Sequence, residues 1–100
     1  MERIKKLVDE ISDELCSAKE YAEEFLTLKA KDANSKFVKY YDEMAHDELK
    51  HADYLHERVV SEIDELSKVY TPPQEMMEKW NADHKKYIEK AAWIRQMLTM

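Results

Sequence analysis

The stretch YYDEMAHDELKHADYL, residues 40–55, holds no glycine or proline and mixes apolar residues with acids and histidines. Its large apolar residues, including Tyr41, Met44 and Leu55, recur at the spacing of one face of an α-helix. Two ionisable residues, Glu48 and His51, fall on that same face at about 100° per residue. The stretch therefore predicts a long helix whose inward face holds polar groups.

The whole chain is poor in turn-forming residues. Its 100 residues include no glycine, and its two prolines are adjacent at Pro72 and Pro73. Such a chain disfavours β-hairpins and, with 38% charged and 44% hydrophobic residues, favours long amphipathic helices. We predict an all-α fold in one domain, residues 1–100, with helices over about 2–30, 33–70 and 74–98. The short breaks KDANS and YTPPQ imply an antiparallel helical hairpin followed by a third helix.

Charge and cysteine content limit the classes of partner. A net charge of −6 leaves no basic face to neutralise phosphates, which argues against nucleic acid and favours metal cations. No apolar run approaches the roughly 20 residues that span a membrane. The N-terminal stretch MERIKKLVDEISDEL is too charged for a signal peptide, and the single cysteine, Cys16, permits no intrachain disulfide. We therefore expect a cytoplasmic protein without a membrane or nucleic-acid partner.

An inward seam can be followed along each helix at about 100° per residue. In helix 1 the predicted seam contains Ile4, Leu7, Ile11, Glu14, Ala18, Tyr21 or Ala22, and Phe25. In helix 2 it contains Phe37, Tyr41, Met44, Glu48, His51, Leu55, Val59, Glu62 and Leu66. In helix 3 it contains Met77, Trp80, His84, Tyr87 or Ile88, Ala91 and Leu98, with Arg95 near it. Most of these residues are apolar, so the few ionisable ones carry the functional information.

Helix 2 contains three acid-x-x-His spacings. They are Glu43 with His46, Glu48 with His51, and Asp53 with His56. The three pairs cannot all face inward, because an offset of five residues rotates a pair by about 140° around the helix. Only the middle pair shares the seam with the large apolar residues. We expect the first and third pairs to be solvated charge.

Glu14 is the carboxylate of helix 1 that lies on the predicted seam at the height of His51. If the chain folds back at residues 32 and 33, residues whose numbers sum to about 65 lie at the same height along the two helices. Glu14 and His51 have this relation. Two carboxylates and an imidazole in one apolar layer are costly unless they are paired or bind a cation. A set without thiolate suits iron or manganese and tolerates zinc. Glu10, one turn away, is predicted to support the ligands, and a polar layer that fixes helix register is the alternative.

The two hairpin helices resemble the ferritin-like superfamily, particularly its rubrerythrin-like and half-ferritin members. That family has an aromatic residue seven positions before a ligand glutamate, then E-x-x-H followed by alanine. The corresponding residues here are Tyr41, Glu48, His51 and Ala52. In helix 1, ELCSAKEY (residues 14–21) is similar to the family's E-x-x-A-x-x-x-Y, with Ser17 in place of the alanine. The resemblance covers about residues 8–60, and it implies that Glu14 is a ligand and that Tyr21 and Tyr41 support the site.

The resemblance implies a di-iron carboxylate protein. One chain offers Glu14, Glu48 and His51, half of the family's ligands, so a homodimer or an oligomer of dimers is implied, with the ferritin-like bundle and its site completed by dimerisation. The implied activity is ferroxidase, in which these residues hold Fe²⁺ while dioxygen or peroxide oxidises it. A non-catalytic, metal-stabilised helical dimer and an acidic helical adaptor are the alternatives. Helix 3 lacks an E-x-x-H spacing, and His84 is predicted to be a core histidine near Glu62.

Overall fold

The computed structural model describes residues 2–100, which form three α-helices and no β-strand. They are α1 (Glu2–Lys31), α2 (Lys36–Val69) and α3 (Gln74–Thr99). The predicted all-α class with three helices is therefore confirmed. The helices lie side by side in a rod of 55 × 17 × 17 Å. Over residues 2–100, none of them is long and apolar enough to cross a bilayer.

The two connections set the limits of α2. Ser35 has extended backbone angles (φ −63°, ψ 135°), and its side chain accepts a hydrogen bond from the Phe37 N–H. This cap starts the helix at Lys36 rather than at the predicted residue 33, because a serine hydroxyl satisfies an N–H that the first turn leaves unpaired. At the other end the backbone is extended at Tyr70. Pro73 then precedes α3, where the missing N–H of proline costs nothing.

Small residues form the contact between α1 and α2. Ala18, Ala22, Ala45 and Ala52 are all 0% exposed. Alanine at a helix–helix contact allows a short interaxial distance, which the larger neighbours then fill. The larger buried side chains of these two helices are Ile4, Ile11, Leu15, Phe25, Leu49, Val59 and Ile63. These side chains form one apolar core together with Ala91, Ile94, Met97 and Leu98 of α3.

Most of the buried stripe of α2 lies one residue after the predicted seam. It contains Ala45, Leu49, Ala52 and Ile63, and also Val59, which lies on the seam as predicted. Phe37 and Met44, which were expected inside, are 51% and 36% exposed. The prediction followed the large apolar residues, whereas the alanines take the contact because they allow the closest approach of α1. The predicted seam of α2 therefore runs along the edge of the hairpin contact, partly open to solvent.

α3 covers one side of the hairpin and leaves the opposite side free. On the covered side, Ser12 of α1 lines a groove with α3, and Asp53 of α2 accepts a hydrogen bond from Tyr87. These two residues point about 160° away from Glu14 and His51 around their helices. We call the opposite side the open face. Its partly exposed residues are Leu7, Glu10, Glu14, Ser17, Tyr21 and Leu28 of α1, and Tyr41, Met44, Glu48, His51, Leu55 and Glu62 of α2.

Truncation of Ile94 should show how far the docking of α3 stabilises the fold. Ile94 is 0% exposed, so Ile94→Ala is expected to lower the free energy of unfolding by about 2–5 kcal/mol through lost burial and a residual cavity. Ile88 lies on the same helix and is 51% exposed, so Ile88→Ala should change it by less than about 1 kcal/mol. Urea unfolding followed by circular dichroism measures both. Equal effects of the two substitutions would contradict this packing of α3.

Candidate metal centre

Glu14, Glu48 and His51 come together on the open face. His51 Nδ1 lies 3.5 Å from Glu14 Oε2 and 3.9 Å from Glu48 Oε1. One potential ligand atom from each of the three side chains lies within 4.8 Å of the other two. Within residues 2–100, no other group of three acidic, histidine or cysteine side chains converges in this way. The three residues selected from the sequence are therefore neighbours in space.

The hairpin explains how the three side chains meet. Glu48 and His51 are three residues apart on α2, so they share one face of that helix. Glu14 reaches them from the antiparallel α1, at the height expected from the chain reversal. The side chains of Glu14, Glu48 and His51 are 29%, 23% and 51% exposed. The expectation that they point into the dry core of the single chain is therefore wrong, because the closest contact between the helices runs through the alanines one position further on.

The two carboxyl groups repel one another when both are ionised. The pKa of Glu48 is raised from 4.5 to about 7 by a hydrogen bond with the Glu14 carboxyl group, by burial and by the negative charge of Glu14. The imidazole of His51 opposes this rise, and the nearby Asp47 carboxylate adds to it. Near neutral pH, Glu48 is thus partly protonated, which relieves this repulsion when no cation is bound.

The spacing of the ligand atoms suits one metal ion with little rearrangement. Oxygen and nitrogen ligands bonded at about 2.1 Å lie about 3.0–3.4 Å apart at octahedral or tetrahedral angles. The observed distances of 3.5 and 3.9 Å exceed these values by less than 1 Å, which side-chain rotation can close. Two carboxylates and one imidazole without a thiolate match iron or manganese, and also zinc. Three protein ligands leave open positions for water, substrate or ligands from a second chain.

The residues predicted to support the ligands lie on the same face but farther along it. The rings of Tyr21 and Tyr41 contact each other, with centroids 6.3 Å apart and planes inclined at 35°. Each tyrosine is seven residues, or about two turns, from the glutamate of its helix. Glu10 lies one turn before Glu14 and is half-buried. Their supporting role stays a prediction.

The other acid–histidine pairs of α2 differ in environment. His46 faces solvent, where its Nδ1 lies 3.3 Å from the Asp42 carboxylate, and Glu43 is also exposed. The expectation of solvated charge fits this first pair. For Asp53 and His56 the expectation is wrong, because both are half-buried against α3. Asp53 and His56 lie at the interface between α2 and α3, which the predicted seam of α2 did not include.

A cluster of aromatic and histidine side chains joins α2 to α3. His56 Nε2 lies 2.7 Å from His84 Nδ1, and the Tyr87 hydroxyl donates a hydrogen bond to Asp53. His84 was expected near Glu62, which instead lies more than one turn along α2 and pairs with Arg3 at 3.2 Å. The signal that could have located the cluster is the spacing of Trp80, His84 and Tyr87 on one face of α3, opposite Asp53 and His56.

Comparison of the chain with protein-family models, with curated proteins and with solved structures yields no match. The geometry of Glu14, Glu48 and His51 and the chemistry of their side chains are therefore the guide to function.

Proposed function

We propose that the protein is a homodimeric di-iron ferroxidase, with Glu14, Glu48 and His51 of each chain as its ligands. The observation that carries the proposal is the convergence of two carboxylates and one imidazole from two helices, within 4.8 Å, on a face that α3 leaves free. Their residue types suit Fe²⁺ and Mn²⁺ and also tolerate Zn²⁺. The ferritin-like pattern of residues 8–60 supports the same assignment.

The open face supports dimerisation. Its two stripes place apolar side chains on both sides of the three ligands, including Leu7, Leu55 and Met44, the last of which is 36% exposed. These apolar side chains are partly exposed in the single chain, and a partner would remove them from water. In a two-fold dimer the same face of a second chain meets it, so both copies bury the same residues. Four helices, two from each hairpin, would then surround the ligands.

The dimer brings charges into balance. Each chain contributes two carboxylates and a neutral imidazole, so two chains offer four negative charges to two Fe²⁺ ions. Glu48 must lose its proton to bind, and the approaching cation replaces the proton that now relieves its repulsion with Glu14. His51 contributes a nitrogen ligand through Nδ1, the atom that already faces both carboxylates. The negative charge of the site thus favours transfer of a divalent ion from bulk water into the site.

The proposed reaction is the oxidation of Fe²⁺ as substrate. Each Fe²⁺ gives up one electron, and two electrons with two protons reduce one hydrogen peroxide molecule to two waters. With dioxygen as oxidant, the same two electrons and two protons produce hydrogen peroxide. Glu14, Glu48 and His51 hold the ions close together, so that both electrons are available to a single oxidant molecule.

An anaerobic titration with Fe²⁺ tests this function. We expect saturation at two Fe²⁺ per dimer, a solution mass of at least two chains, and ferric absorbance only after dioxygen or peroxide is added. Equilibrium dialysis, light scattering and stopped-flow absorbance measure these three properties. One tightly held ion without redox activity would support a structural metal instead. A chain that binds no ion at all would support the acidic adaptor.

A further inference from the structure

A pair of histidines links α2 and α3 on the side of the hairpin opposite the open face. His56 Nε2 and His84 Nδ1 lie 2.7 Å apart, and the centroids of the two rings are separated by 4.8 Å. A single hydrogen bond at this distance uses one nitrogen as donor and the other as acceptor. One nitrogen of each ring therefore faces the other ring, although the two rings belong to helices that are linked covalently only through the Tyr70–Pro73 connection.

Neighbouring side chains hold the two rings in place. Tyr87 stacks on His56 with a centroid distance of 4.9 Å and an interplanar angle of 12°, and its hydroxyl is anchored to Asp53. The Trp80 ring centroid lies 5.5 Å from the centroid of each imidazole. Packing against Tyr87 and Trp80 therefore limits how far the two imidazoles can turn.

His56 is reachable from solvent. A groove of about 490 Å³ between α1 and α3 is lined by His56, Trp80, Tyr87 and Asp83, with an apolar floor from α1. The charged side chains nearest the pair on α2 are Asp53 and Glu57, and Asp83 carries a further negative charge on α3. Lys86, Glu89 and Lys90 also line the groove, and Arg95 pairs with Asp53, so the acidic and basic side chains around the pair are balanced. A cation entering the groove thus meets the His56 imidazole, whose Nε2 lies 2.7 Å from Nδ1 of His84.

We propose that His56 and His84 form a second metal site, for a borderline divalent ion such as Zn²⁺, that fastens α3 to α2. Two nitrogens bonded to one ion at about 2.0–2.1 Å lie about 3.3 Å apart at a tetrahedral angle. The pair therefore has to open by less than 1 Å from its present 2.7 Å, with both rings tilting toward the groove. The hydrogen-bonding proton moves to the other nitrogen of its own ring, so both imidazoles stay neutral. Water from the groove completes the coordination.

This site differs in chemistry from the one on the open face. It offers imidazole nitrogens alone, which suit Zn²⁺, Co²⁺, Ni²⁺ and Cu²⁺, whereas Glu14 and Glu48 supply the harder oxygen ligands. It also needs no second chain, because both ligands belong to one protomer. Its effect is a bridge between α2 and α3 that unfolding must break, so bound ion adds to stability by mass action.

Trp80 provides a direct reporter for the experiment, because it lies beside both imidazoles and the chain has only one other tryptophan, Trp93. The test protein is the full chain carrying Trp93→Phe, which leaves a single emitter, with Glu48→Gln and His51→Ala to remove the open-face site. Co²⁺, which quenches nearby indoles, is titrated in without oxygen. We expect saturable quenching of most of the emission, together with a higher midpoint of thermal unfolding in Zn²⁺.

Matched histidine variants decide the outcome. His56→Ala and His84→Ala should each weaken Co²⁺ quenching by at least about tenfold, whereas His46→Ala, which alters an exposed histidine on α2, should leave it unchanged. If either variant fails to fold, ¹⁵N NMR spectra of the test protein with both histidines intact provide the alternative measurement. Binding of Zn²⁺ must then shift the ring nitrogen signals of both His56 and His84. Quenching that survives both substitutions, or ring signals that ignore Zn²⁺, would overturn the proposal. Failure of Fe²⁺ binding on the open face would leave it standing.

Discussion

Replacing Glu48 or His51 with alanine is expected to abolish Fe²⁺ binding while leaving a helical protein. Either change removes a ligand atom from a group whose members lie within 4.8 Å of one another, and two remaining protein ligands hold a divalent ion weakly. We expect the affinity to fall by at least about 100-fold. Neither side chain belongs to the buried core, so far-ultraviolet circular dichroism should be unchanged. Anaerobic equilibrium dialysis with Fe²⁺ measures the affinity.

Glu43 and His46 supply the matched control. They have the same acid-x-x-His spacing on the same helix, but both are exposed and face away from α1. Glu43→Ala and His46→Ala should therefore leave Fe²⁺ affinity within about twofold of the unaltered protein. If these changes prove damaging and those at residues 48 and 51 prove harmless, the assignment of the open-face ligands is wrong.

Glu48→Gln is expected to stabilise the metal-free protein above neutral pH. Folding raises the pKa of Glu48 from 4.5 to about 7. Between about pH 4.5 and 7, the folded protein therefore keeps a proton on Glu48 that the unfolded chain releases. Stability of the unaltered protein should therefore fall as the pH rises from about 4.5 to 7. The full shift corresponds to about 3 kcal/mol, and solvent screening of a side chain that is 23% exposed reduces the gain to about 1–2 kcal/mol. Glutamine removes this loss.

Thermal unfolding of the chelator-treated protein between pH 4.5 and 8 measures the effect. A gain of about 1–2 kcal/mol at pH 8 corresponds to a rise of about 5–10 °C in Tm, and the difference should vanish near pH 4.5. Glu43→Gln, which alters an exposed carboxylate on the same helix, should give no such pH dependence. A Tm difference that is the same at every pH would mean that folding does not raise the pKa of Glu48. A variant that is more stable yet unable to bind metal would mark these residues as kept for function.

The helices were predictable because the chain offers few alternatives. Without glycine, and with prolines only at residues 72 and 73, a break is possible at few places, and capping chemistry locates the first of them at Ser35. The start of α2 was misplaced by three residues because several capping residues occur together in KDANS, and local sequence does not rank them.

The proximity of Glu14, Glu48 and His51 was predictable, but their depth was not. Glu14, Glu48 and His51 follow from helical spacing and from the height of the chain reversal, both of which depend on backbone geometry. Their exposure depends on which stripe makes the closest contact, and that is decided by Ala45 and Ala52, residues that contribute little to an apolar pattern. The position of His84 against His56 was missed for a related reason. The height of α3 along α2 depends on the conformation of the Tyr70–Pro73 link, which residue spacing does not specify.

The exposure of His51, at 51% of its side chain, bears on how quickly the proposed site would take up and release an ion. In a single chain the ion would enter and leave by rotation of one imidazole, with no helix displaced and no channel to traverse. In the proposed dimer the second chain closes this route, so subunit association itself acts as the gate. Residence time of the ion should then lengthen with protein concentration, and dilution alone should unload the protein.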